Sequence, residues 1–324
     1  MVTGVPNLFT ETRLTRALPA LVVLPYPLLI HMSATKAPVL VSLALVLPIL
    51  CGYLAYRIAR AARFPMGTAV AFVAIGAPAL YSLMGGWLDF QKLLPFHADA
   101  AWYAFWTIAA GGAALESPAA VSVPQQQRRG LAFAHGMSAA LIGAFAAVHL
   151  SNHVSGIFGG DVHTAFMTAA RKVYRQWFVE VPLVVAVVFQ VASGITLLVR
   201  RVRHGLGDAW SALQVISGAY MVLFFMSHVS AVARARYLRH SDTDWHWLTA
   251  DDLLTDPWSA RLLPYYVLGV LAFGVHVACG LRWVAIAHKK SAEFAATVFS
   301  VTFGLMGLAG AVIAVALIRA SHHA

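Results

Sequence analysis

The chain reads as long apolar stretches broken by short polar ones. Stretches of about 20 apolar residues, enough to cross a bilayer as a helix, fall at 18–34, 38–57, 66–88, 101–116, 131–153, 177–199, 209–232, 263–287 and 294–319. Their apolar character is continuous and lacks the period-two alternation of a membrane barrel. Pro19, Pro25 and Pro27 interrupt the first stretch, and 101–116 is short. The expectation is therefore an all-α integral membrane protein with about eight or nine transmembrane helices. The first stretch does not read as a signal peptide, because no small-residue cleavage site with a polar mature segment follows it. Segments 154–176 and 233–262 carry periodic apolar residues among charges, the pattern of helices lying along a membrane surface.

Composition sharpens this picture. Of the 324 residues, 60% are hydrophobic and 11% charged, with a mean hydropathy of +0.73. A soluble domain carries about 25% charged residues, so a water-soluble globule is excluded, and a disordered chain needs the opposite balance. Cys51 and Cys279 both fall inside apolar stretches, which excludes a disulfide framework and a covalent haem-attachment motif. The net charge of +10 reads as topology and lipid contact rather than nucleic-acid binding. With a cytoplasmic N-terminus and nine alternating spans, the cytoplasmic ends hold 13 of the 23 basic residues, from Arg13 and Arg16 to Lys289 and Lys290. The chain is thus expected in the inner (plasma) membrane of the cell, with its C-terminus outside. The polar stretch Ser117 to Gly130 divides it into residues 1–130, with three or four spans, and residues 131–324, a five-helix bundle.

Ionisable residues inside a membrane are costly and mark functional candidates. Six of the fourteen histidines sit in loops or at the tail, where water solvates them: His204, His240, His246, His288, His322 and His323. His31 and His97 fall at span ends without an evident partner. The informative set is His135, His149, His153, His228 and His276. His149 and His228 each lie four residues, about 6 Å, from the outer ends of their spans. Two imidazoles at one level on two helices can serve as axial ligands of a b-type haem. Two unrelated histidines, each bonded to a neighbouring helix, would give the same sequence pattern. At a second level, His276 is followed four residues later by Gly280, and Gln190 by Gly194. A glycine one turn along on the same face leaves room for a flat macrocycle. Gln190, however, is a poor haem ligand.

The stretches LAFAHGMSAALIGAFAAVHLSNH, VVFQVASG, FFMSHVSAV and GVLAFGVHVACGLRW, in this order, resemble the five-helix di-haem cytochrome b anchor of succinate:quinone oxidoreductases and quinol:fumarate reductases. The resemblance covers about residues 131–319. It implies that the outer haem takes its ligands from the first and third helices of the bundle, and the inner haem from the second and fourth. His149 and His228 then match the outer pair, and His276 matches one inner ligand. Gln190 stands where the family has the other inner histidine, which breaks that site and leaves one haem b expected. His135 aligns with a family histidine close to the inner haem, and His153 is an alternative outer ligand or a propionate contact. Glu180 lies near a family acidic residue tied to quinone and proton chemistry. Arg171, Lys172, Arg175, Arg234 and Arg236 are placed either to face propionates or to form a solvated face.

The function expected is a membrane-embedded b-type cytochrome that transfers electrons between a quinone and a partner. The chain has no dinucleotide fingerprint and no cysteine cluster, so it holds no dehydrogenase active site and no catalytic residue is assigned. Flavoprotein and iron–sulfur subunits would be its partners, beside the lipid bilayer. The alternatives are a haem-based sensor, a non-redox membrane interaction protein, or a haem-free transporter. The last is weakened by the lack of carboxylates within the apolar stretches around the histidines.

Overall fold

The computed structural model describes residues 12–35, 40–61, 64–91, 98–119, 129–203, 206–249, 253, 256 and 258–321. Among these the chain is helical throughout, with no strand. The N-terminal group comprises α1 (Arg13–Val23), α2 (Tyr26–Thr35), α3 (Leu40–Ala61), α4 (Pro65–Ile75), α5 (Ala77–Gln91) and α6 (Ala98–Leu115). The C-terminal group comprises α7 (Arg129–Ser155), α8 (Gly160–Tyr174), α9 (Trp177–Arg203), α10 (Ala209–Ala233), α11 (Trp245–Thr249), α12 (Leu262–Ala287) and α13 (Ala292–Ser321). Seven helical segments are long and apolar enough to cross a membrane, or up to eight if the bent α4–α5 pair counts as one span. The protein is a multi-pass helical membrane protein.

The breaks have local causes. Pro27 has no N–H to give the Val23 carbonyl one turn earlier. The indole of Trp102 on α6 donates to that carbonyl instead, at 3.2 Å. The α1–α2 break is thereby held inside an aromatic cluster of Tyr26, Tyr81, Trp102 and Trp106, with neighbouring ring centres 5.4–5.8 Å apart. Between α4 and α5 the axis turns by 79° at Gly76, where Pro78 again withholds a helical donor. A side chain at Gly76 would collide with Leu223 of α10, so the bend seats the pair against the bundle. Glu116 closes the start of α4, its carboxylate accepting from the amides of Met66 and Gly67 at 2.7 and 2.8 Å.

The hydrophobic core is continuous across the boundary at Ser117–Gly130. It runs from Ala17, Tyr26 and Trp106 in the first group to Ala219, Tyr220 and Leu268 in the second. α10 packs on both α4 and α5, so the N-terminal group buttresses the bundle from one side. α7 and α9 lie on the opposite side, packed chiefly on each other. Only 6% and 11% of their most apolar windows are buried, against 44% for α12. These two helices present their outer faces to lipid.

The expected surface helix at 154–176 is observed as α8. Segment 233–262 differs from expectation. Among the described residues it extends α10 by a π-helical turn, Arg234–Leu238, and then carries the single turn of α11 and a 3-10 turn at Ser259–Arg261. The cause is local, because Ser241 returns its amide to the Ala235 carbonyl at 2.9 Å and ends the helix.

Candidate functional site

α7 and α10 run toward the end of the bundle that carries α8, and α9 and α12 run away from it. Arg236 after α10 bonds to Glu180 at the start of α9, and Arg201 at the end of α9 bonds to Ser211 at the start of α10. The histidines singled out above fall into two clusters along this axis.

Nearer the α8 end, the rings of His149 and His228 face each other with centres 5.8 Å apart and planes at 67°. Phe145 stacks on His149 and Phe224 on His228, each at 5.5 Å, so both rings are held by aromatic neighbours. His153 is in edge contact with His149 at 4.7 Å. It turns its Nδ1 toward His163 at 3.4 Å, away from His228. His163 of α8 is buried, is bonded to Asn152 at 3.1 Å, and lies 4.7 Å from the Trp245 ring. Side chains at Gly156 or Gly160 would collide with Trp245, which is the reason for glycine there. Burial pushes the His163 imidazole down to about 4, helped by the nearby charge of Arg171.

At the second cluster the structure departs from the expected pairing. His276 does not face Gln190. It faces His135 of α7, with ring centres 6.4 Å apart and planes at 81°. Gln190 instead donates to Nε2 of His135 at 3.0 Å, and Ser138 donates to the side-chain amide oxygen of Gln190. The physical reason is that α9 packs on α7 rather than on α12, so a residue on the inner face of α9 meets α7 first. Gly194 likewise lies beside His135, where an added Cβ would sit 3.5 Å from Cε1. A Cβ at Gly280 would meet nothing within 4 Å. The glycine that His276 packs against is Gly218 of α10, where a Cβ would come within 3.0 Å of its ring.

The hydrogen bonds assign the tautomers. Ser193 donates its hydroxyl to the Phe189 carbonyl at 2.6 Å, so it accepts from Nδ1–H of His135 at 2.8 Å. His276 donates Nδ1–H to the Gln214 carbonyl at 3.1 Å. Each ring therefore turns an unprotonated Nε2 inward, met by a glutamine amide: Gln190 at 3.0 Å for His135 and Gln214 at 3.2 Å for His276. An Nδ1–H anchored on a carbonyl or hydroxyl, which leaves Nε2 unprotonated, is the arrangement that metal-bound histidines use.

Two imidazoles bonding one metal at about 2.0–2.1 Å each set their ring centres about 6 Å apart. The 5.8 and 6.4 Å pairs meet that requirement, whereas the 4.7 Å contact of His149 with His153 is direct ring packing. Among the described residues no three or more His, Cys, Asp or Glu converge as a protein-only metal cage would need. Each pair offers two donors, which suits a metal that brings its own equatorial ligands. All four rings are half-buried.

The remaining candidates are engaged elsewhere. Arg171 bonds to Asp242 at 2.6 Å and to Thr243, and Arg236 and Tyr237 bond to Glu180. Arg171 and Arg236 thus have carboxylate partners on the protein, and Glu180 has a guanidinium partner. His31 lies 3.7 Å from Asp99. His97, His204, His322 and His323 lie outside the described residues. Sequence reading passed over Asn152, His163, Ser193, Gln214 and Gly218. A signal for the His135 pairing was present in the fourteen residues from His135 to His149. That spacing is close to four full turns and puts both rings on one face of α7.

The fold and its paired histidines define a helical membrane protein with two levels of paired histidines. No protein-family model, no curated protein and no solved structure matches the chain.

Proposed function

We propose that the chain is a membrane-embedded b-type cytochrome with two haem sites, His149/His228 and His135/His276, serving electron transfer between a quinone and a partner complex. The observation that supports it best is on α7, whose two same-face histidines each oppose a histidine from another helix at ligand-pair spacing. Haem, when bound, supplies the one-electron chemistry. The chain's own residues hold and orient it. Ser193 and the Gln214 carbonyl fix the inner rings in the ligating tautomer, and Phe145 and Phe224 hold the outer rings by stacking. The two levels are about 21 Å apart along α7, a large part of a hydrocarbon core about 30 Å thick. The resemblance to succinate:quinone oxidoreductase anchors supports quinone as the membrane partner, with flavoprotein and iron–sulfur subunits on the cytoplasmic side. The distribution of basic residues favours the α8 end as the outer one.

The test is haem retention in single variants of the protein purified in detergent, read by reduced-minus-oxidised spectra. His149→Ala and His228→Ala should each remove one haem, and His135→Ala and His276→Ala the other. Gln190→Ala should keep both. Retention of the full complement in all four histidine variants would overturn the reading.

A further inference from the structure

At the α8 end, where the N-terminal group meets the bundle, lies a cavity of about 180 Å³. Its wall includes Ser82 of α5, His228 of α10, Arg234 and Arg239 just beyond α10, and Trp258 and Arg261 before α12. Three arginines line this small space, and none of the described residues lining it is acidic. Ser82 is 8% exposed and its hydroxyl has no hydrogen-bond partner. Nε of Arg261 is likewise buried and unbonded. These are donors set into a wall without an acceptor of the protein's own, and a buried donor left unsatisfied costs about 1–3 kcal/mol.

The cationic groups are held in place. The Arg261 guanidinium lies 3.5 Å over the Trp258 ring, with Nη1 on the Trp258 carbonyl. Arg234 lies 5.1 Å over Trp87 of α5. The adjacent glycines Gly85 and Gly86 make this fit: a Cβ at the first would collide with Trp258, and at the second with the Arg234 guanidinium. The N-terminal helices are thus notched to receive these two side chains, and the cavity is assembled from both groups.

From this we infer that the junction cavity is a binding site for a carboxylate ligand. A guanidinium fork matches a carboxylate in bidentate geometry, and three like charges in one cavity favour an anion over a neutral quinone ring. The carboxylate has two sources. It belongs either to the acidic side chains of a porphyrin held at His228, in the same wall, or to a free organic acid entering from the α8 end. Only the first source rests on the cytochrome reading.

The test uses the full chain in detergent and two readouts: tryptophan fluorescence during titration with succinate, and the midpoint potential of the haem lost in His228→Ala. Saturable succinate binding, weakened at least tenfold in Arg261→Gln and in Arg234→Gln but unchanged in Lys290→Gln, supports the free-acid source. No succinate response, with a lower outer-haem potential in both arginine variants, supports the porphyrin source. Gly86→Ala, which displaces the Arg234 guanidinium without removing its charge, should act in the same direction as Arg234→Gln. If neither readout moves in either arginine variant, the inference is wrong. Should the protein hold no haem, the succinate titration decides alone, so the cavity and the cytochrome reading fail separately.

Discussion

An imidazole ligates or accepts only through a nitrogen without a proton, and what its other nitrogen bonds decides which one that is. His135 and His276 are each fixed by such a bond, to Ser193 and to the Gln214 carbonyl. The contact with Gly218 makes a graded test. In Gly218→Ala the new methyl lands 3.0 Å from the His276 ring, while in Gly136→Ala it meets nothing within 4 Å. The first should displace or loosen the inner haem and leave the outer spectrum intact, and the second should change neither. His149 and His228 were legible in the sequence because equal depth on two helices is a sequence property. His135 was placed close to the inner haem but not as the partner of His276, because the family-like pattern directed attention to Gln190, and which helix Gln190 meets is a matter of packing. His163 gives a pH prediction. Its pKa of about 4 when folded lies below the ordinary 6.5, so between these values the unfolded state binds more protons. The docking of α8 should therefore be fully stable above pH 6.5 and weaken as pH falls toward 4. Trp245 fluorescence against pH reads this directly, and His163→Gln should flatten the profile.

At the scale of elements, the helices are set by apolar runs, and their breaks by proline together with a tertiary substitute for the lost bond. Trp102→Phe keeps the ring but removes the N–H that satisfies Val23. A buried carbonyl left without a partner costs about 1–3 kcal/mol, so this variant should show a lower thermal midpoint with the haem spectrum unchanged. The sequence indicated where the first stretch would be interrupted, since Pro25 and Pro27 are visible in it, but 66–88 reads as one uninterrupted stretch. It did not indicate the 79° turn at Gly76, because that angle depends on Leu223 of α10 occupying the notch. Nor did it reveal that the described part of 233–262 is a π-helical extension of α10 followed by short helical turns, since periodic apolar residues also occur where a chain covers a helix end.

For the whole molecule, the N-terminal helices bury one flank of α10, and α7 with α9 form the lipid-facing flank. The histidine pairs lie between these flanks, joining α7 to α10 at one level and α7 to α12 at the other. Fold class was readable because membrane helices satisfy their backbone locally, and apolar length alone reports them. The span total was less so: α6 has the length, but its Asp99 and aromatic residues leave it outside the seven helices apolar enough to cross. Partnership between histidines on separate helices is set by helix rotation, which composition and spacing constrain only by face.

The central claim, two bis-histidine levels in one chain, is tested most directly by the haem-to-protein ratio of the purified wild type, from a pyridine haemochrome assay against amino-acid analysis. The account predicts two non-covalent b haems per chain, both low-spin. A ratio near zero after expression with haem supplied, or one haem that survives loss of both His149 and His276, would contradict it.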